Sequence, residues 1–314
     1  YLDNLFIPRQ SGQLFETIDI ANVQVLRGPQ GTLFGKNTTG GAMVVSLAKP
    51  TDSFDGYIEG AIGNYESVSG KLVLNMPVSD RFFTRLAISG VRDEGFIEDV
   101  VTGARYASKN RKAALLQTRY DASDTFSIDS LAYYGRIKDQ KIVSGDCSIA
   151  SNNALLLEGL YVMFPGDTDP SNPTAFRENC ERNSYDRIGD LKADLGPNPR
   201  QEFSHESLLL GVTAQWETSD SQVIKLIVGA REAVQAPYNV SDGDGGPANF
   251  TEGHGYKDSN RESFSLELQV NGSAWDDRLS YASGLFGMYE KNDETLLVEG
   301  SLLGFDALTA VQIL

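Results

Sequence analysis

Histidine and cysteine are nearly missing from this chain, with two of each in 314 residues. His205 and His254 stand far apart, and neither has a cysteine or second histidine beside it. No metal site and no Ser-His-Asp set can be assembled from them. No G-x-S-x-G motif occurs, and the carboxylates are too numerous for a glycosidase pair to stand out. These absences leave no enzyme reading and no resident cofactor. No run of about 18 apolar residues exists, which excludes a transmembrane helix, and no signal-peptide pattern opens the chain at Tyr1. Basic residues are scarce as well. Lys and Arg number 27 against 43 Asp and Glu, a formal charge of −16 and a pI near 4.5. Nucleic acid, which needs clustered cations, is excluded as a partner.

The acid is concentrated. Residues 139–202 carry 11 acidic and 6 basic side chains, and residues 235–260 carry 4 and 1. Such segments either keep a surface solvated or form an electronegative funnel that concentrates cationic or metal-bearing ligands. Asp242-Gly243-Asp244-Gly245-Gly246 is faintly like a calcium loop but lacks the later ligands. His254 is expected to be exposed in the second segment.

From Gly56 onward polarity alternates with period two, the pattern of strands with one apolar and one polar face. Val68, Leu72, Leu74 and Met76 oppose Ser69, Lys71 and Asn75; Leu208, Leu210, Val212 and Trp216 oppose Thr213 and Gln215. Leu209 and Ile227 break the polar face. About nine strands are predicted, near 56–63, 67–76, 82–91, 111–120, 125–137, 204–217, 222–233, 261–271 and 278–290. Short connections alternate with long ones at about 91–110, 139–202 and 235–260, and a further long one is expected near Lys291. Asn64–Ser67 is the one short connection where a long one is due. Tight turns on one rim and long loops on the other are the signature of a membrane barrel. A sandwich gives the same alternation but no reason for it to be one-sided. Phe82, Phe83, Tyr120, Phe126 and Trp216 flank the short turns, where an interfacial aromatic girdle belongs.

One stretch is unlike the rest. In 23–50, VQVLRGPQGTLFGKNTTGGAMVVSLAKP, a β-prone run is stopped at Gly28-Pro29. Gly31 and Gly35 allow tight turns, Gly40-Gly41 permits close backbone approach, and a strand-like run follows to Pro50. Lys36 after Gly35 does not make a phosphate loop, because the G-x-x-x-x-G-K-[ST] spacing is absent.

The motif Arg27, Gly28, Pro29, Gln30, Gly31, with Gly35, Gly40 and Gly41 behind it, closely resembles the end of the plug domain of TonB-dependent outer-membrane receptors. Gln24 stands where that family often has glutamate, and Asn4 where glycine is usual. The resemblance implies a mainly β fold: residues 1–50 as the rear of a plug, then 51–314 as the first part of a transmembrane barrel of nominally 22 strands, an incomplete wall. It implies active import of a scarce nutrient (siderophore, vitamin, haem or glycan) across the bacterial outer membrane. The implied partners are that nutrient, outer-membrane lipid, and TonB acting on a coupling segment outside this chain. Arg27 becomes a candidate latch from plug to a barrel carboxylate. In that compartment Cys147 and Cys180 are expected to bond rather than remain free thiols, closing a loop that contributes about 3–4 kcal/mol. The rival expectation is a secreted all-β binding or adhesive protein with acidic loops.

Overall fold

The structure is a computed structural model and describes residues 1–7, 18–31, 38–99, 103, 105–140, 192–193, 202–240, 251–276, 278–302 and 305–313. The strands β1 (Ile20–Arg27) and β2 (Gly41–Leu47) form an antiparallel hairpin, and Leu2 bridges to Val45 beside it. A second, much larger sheet follows. Its strands are β3 (Asp55–Gly63), β4 (Ser67–Ser79), β5 (Phe82–Arg92), β8 (Asn110–Ser123) and β9 (Phe126–Gln140), then β11 (Glu202–Ser219), β12 (Gln222–Val240), β13 (Thr251–Ala274), β14 (Leu279–Leu302) and β15 (Phe305–Ile313). Short β6 (Ile97–Asp99), β7 (Arg105–Tyr106) and β10 (Lys192–Ala193) make a three-stranded patch among the loops.

The ten strands of the large sheet pair antiparallel, each with its sequence neighbour, and the sheet is an open wall. That is one strand more than the alternation predicts. β14 runs on to Leu302 where a loop is expected at Lys291, and β12 and β13 reach to Val240 and back from Thr251, into the segment assigned to a loop. The reason is physical. Beyond the apolar band a strand needs no apolar face, so its ends carry no period-two signal in hydrophobicity.

The wall is inverted relative to a soluble protein. Facing outward and exposed are Leu208, Leu210, Val212 and Trp216 of β11, and Phe264, Leu266 and Leu268 of β13. Ile58 and Ile62 of β3 are 81% and 89% exposed. The opposite face buries Asn75, Gln117, His205, Ser207 and Arg231. From Leu208 to Trp216 the outward band extends about 26 Å along the strand, at about 3.3 Å per residue, close to the ~25 Å apolar band of an outer-membrane barrel. Its lower edge is aromatic: the Phe82 and Tyr120 rings meet at 6.4 Å, and Trp216 pairs with Phe126. Its upper edge is charged, with Leu208, Glu232, Glu262 and Lys291 in register and an exposed Arg136–Glu206 pair at 3.0 Å. Phe83 departs from the expected girdle. It falls one residue out of phase with Phe82, faces inward and is buried. A soluble sandwich, the rival reading, would bury the face that this wall exposes.

Candidate functional site: the plug seat on the inner wall

One inner-face row of the wall meets residues 1–50 and the link 51–53 at several points. Register runs Asn75↔Arg85↔Gln117↔Leu131↔Gly211↔Gly229↔Ser265 across seven strands, β4 to β13. The first three are polar clasps. Asn75, fully buried, accepts from the Thr51 N–H at 3.0 Å and donates to the Thr51 carbonyl at 3.0 Å. Arg85 grips Asp19 with two parallel bonds, Nε to Oδ2 at 2.6 Å and Nη2 to Oδ1 at 2.9 Å. Gln117 donates to the Ala48 carbonyl at 2.6 Å. A two-pronged guanidinium–carboxylate pair is the strongest of such contacts and fixes orientation as well as distance.

Asp19 holds a backbone conformation that side chains seldom adopt, with φ at 55°, and its carbonyl accepts from Ala48 N–H at 2.9 Å. Aspartate tolerates the left-handed region better than most residues. The residue thus joins the start of β1, the exit of β2 and the wall at a single point.

The other end of the row is a notch. Gly211 and Gly229 lie opposite one another, and Leu5 fills the space in front of them. A Cβ at Gly211 would lie 2.5 Å from Leu5 Cδ1, and one at Gly229 would lie 3.1 Å from Cδ2. Leu5 joins Leu2, Ile7, Ile18 and Leu47 in a buried cluster with Leu209 and Ile227 of the wall. This explains the two breaks in the polar face: Leu209 and Ile227 are apolar because they meet the plug, not water. Phe6 likewise stacks edge-on against inward-facing Phe286 at 6.1 Å. The Tyr1 phenol, half-buried and beside Glu267, is pushed up to about 12.

The glycine motif forms the closed end of the β1–β2 hairpin. Gly28, at φ 83°, donates to the Gly40 carbonyl at 3.2 Å, and Gln30 donates to the Thr38 carbonyl at 2.9 Å. Gly41, at φ 146°, packs so tightly on the Leu26 carbonyl that no side chain fits. Pro29 and Gly31 continue the turn. Gly35, Cys147, Cys180 and Asp242–Gly246 lie outside the described residues. Arg27 is exposed at the end of β1 and makes no ion pair among the described residues. A plug–wall ion pair does form at the other end of β1, with the reverse polarity from the one expected of Arg27, since plug Asp19 meets wall Arg85. His254 sits within β13 opposite Glu299, not in a loop. No cluster of metal-binding side chains occurs among the described residues.

An antiparallel wall, apolar outside and polar inside, with a glycine-turned hairpin clasped to its inner face, is the fold of the plug and barrel of TonB-dependent outer-membrane receptors. Solved structures of that class agree. The ferric yersiniabactin uptake receptor FyuA from Yersinia pestis superposes with a TM-score of 0.67 at 17% identity, over 98% of this chain and 41% of that one. The ferric-catecholate import receptor Fiu from E. coli K12 superposes with a TM-score of 0.60 at 12% identity, over 93% of this chain and 41% of that one. In sequence, the pesticin receptor of Yersinia enterocolitica is 36% identical over 81 residues, 26% of this chain and 12% of that protein. The chain thus spans well under half the length of the receptors it resembles. No protein-family model matches it. The similar proteins are uptake receptors and, in one case, a ferric citrate transporter.

Proposed function

We propose that this chain is part of a plugged outer-membrane importer that takes up a scarce nutrient, a ferric chelate first among the classes, with energy delivered by TonB. One observation carries the reading: a plug segment held against the polar face of an inverted wall. Such a plug blocks free diffusion, yet among the described residues it is held by a few clasps and an apolar cluster, not by a continuous sheet. It can therefore be displaced while the hydrogen-bonded wall stays intact. Residues 1–50 act as the rear of the plug and 51–314 as the first part of the barrel, in the outer membrane. The long connection 139–202 belongs to ligand capture, with Cys147 bonded to Cys180. Arg27, exposed on the plug, is left for a carboxylate elsewhere on the wall. TonB acts on a coupling segment outside residues 1–314. The receptors it resembles are named for ferric yersiniabactin and ferric catecholates, which favours iron over the vitamin, haem and glycan classes.

The test is uptake of labelled ferric chelates by cells carrying the whole gene, with and without TonB. Accumulation is expected with TonB and none above background without it. Equal accumulation in both would mean a passive pore and would remove the proposal.

A further inference from the structure

On the loop side of the apolar band, the outer face of the wall changes sign from one flank to the other. One outward row runs Gly60↔Gly70↔Gly90↔Lys112↔Arg136↔Glu206 across β3, β4, β5, β8, β9 and β11. Directly below it lie Ile88, Ala114, Tyr134 and Leu208 of the lipid-facing band. Arg92 on β5 and Lys138 on β9 are the next outward residues, one pleat or about 7 Å higher. Four cations thus gather on three neighbouring strands, about 10 Å across the sheet, in a chain whose net charge is −16. On β12 to β14 the same boundary carries exposed Glu232, Glu262 and Asp293 with Lys291.

These cations are open to a partner. Arg92 and Lys112 are exposed and make no ion pair among the described residues. Glu206 is the only carboxylate in the row, and it is shared between Arg136 at 3.0 Å and the Tyr134 hydroxyl, which donates to it at 3.3 Å. Asp93, beside Arg92, turns its carboxylate to the N–H groups of Gly95 and Lys109 at 3.1 and 3.0 Å. Next to Lys112 the row is bare: a Cβ at Gly60, Gly70 or Gly90 would meet nothing nearer than 3.7 Å. A shelf of backbone without side chains therefore adjoins the cations. Lys112 and Arg136 also stand directly opposite one another, and like charges so placed destabilise a strand pair. An anion lying against both offsets that repulsion. At this height outside the wall, the neighbouring anions are lipid headgroups, and a phosphate brings up to two charges and several acceptor oxygens.

We propose that Arg92, Lys112, Arg136 and Lys138 form an outward docking surface for the phosphate groups of outer-leaflet lipid, with the glycine shelf leaving room for the headgroup beside them. The inference rests on the outer-membrane placement and is independent of cargo and of TonB, so a failed uptake experiment leaves it standing. The acidic flank on β12 to β14 repels the same phosphates, which confines the lipid to the β5–β9 side.

The experiment uses the whole receptor in detergent with EDTA present, so that no divalent ion bridges the charges. The probes are diphosphorylated lipid A, the same lipid with its phosphates removed, and inorganic phosphate. Mass spectrometry of the intact complexes reads the bound fraction. The phosphorylated lipid is expected to bind at least tenfold tighter than the dephosphorylated one. The triple variant Arg92→Gln, Lys112→Gln, Lys138→Gln should weaken that binding at least tenfold, since each cation near an anionic surface counts for about fivefold. All three changes lie on the outer surface and leave the buried face untouched. Lys291→Gln, on the acidic flank, should stay within twofold. The surface is overturned if both lipids bind alike, or if the folded triple variant binds within twofold of the original. It is overturned equally if Lys291→Gln loses as much as the triple variant, or if equimolar inorganic phosphate displaces the lipid, which would mean a site for free phosphate.

Discussion

Replacing Asp19 with alanine is expected to release the β1–β2 hairpin from the wall. The Asp19 side chain is 4% exposed and that of Arg85 13%, so the substitution leaves a mostly buried guanidinium without its carboxylate. Removing one partner of a buried pair costs about 3–5 kcal/mol, far more than an exposed pair contributes. The backbone adds to the loss, because alanine tolerates φ near 55° less well than aspartate does. Amide exchange of β1 and β2 in the whole receptor should speed up by about two to four powers of ten, with the wall strands unchanged. Unchanged exchange in the hairpin would mean that the clasp contributes nothing to the docking of the plug. The paired replacement Asp19→Asn with Arg85→Gln removes both charges, keeps a residue that tolerates φ near 55°, and should recover much of the protection, because no buried charge is left without a partner.

Val212→Arg is the second large effect. Val212 faces outward midway between Leu208 and Trp216, with Val228 opposite it on β12 and Leu266 beyond on β13. An arginine at the midplane of an outer-membrane barrel destabilises it by about 2–4 kcal/mol. Thr213, the next residue, faces the lumen opposite Asp129, and Thr213→Lys there should change stability by no more than about 0.5 kcal/mol. Unfolding in lipid vesicles compares the two. Equal effects would contradict the assignment of faces, and a larger effect at Thr213 would reverse it.

Much of this was legible in the sequence, and the parts that were not have identifiable causes. Period-two alternation located the strand centres because lipid demands an apolar face there. It lost the ends of β12, β13 and β14, where both faces meet water or loops. The glycine motif placed the hairpin turn, since φ values such as those at Gly28 and Gly41 are written in the residue type. The plug seat was not legible. Asn75, Arg85 and Gln117 are ordinary polar residues of a lumen face, and only register reveals that they form one row. Their partners Asp19, Ala48 and Thr51 are distant in sequence and fall in unpatterned segments. Two signals did exist: the apolar intrusions Leu209 and Ile227, and small Gly211 and Gly229 on the same face. Together they mark where something apolar must dock.

If the chain imports by displacing its plug, residues 1–50 must move against the wall, and Leu5 offers the means to test it. Leu5 Cγ lies 3.3 Å from the position a Cβ would take at Gly211. Cysteines at these two positions would thus come within reach of the roughly 3.5–4.5 Å Cβ separation that a disulfide needs. The measurement is uptake of a labelled ferric chelate by cells bearing the receptor with Leu5→Cys and Gly211→Cys, before and after reduction. No uptake is expected while the bond is closed and uptake is expected to return on reduction, with Leu5→Cys alone active throughout. Full uptake with the bond shown to be closed would contradict it, because cargo would then pass a plug still fastened to its seat.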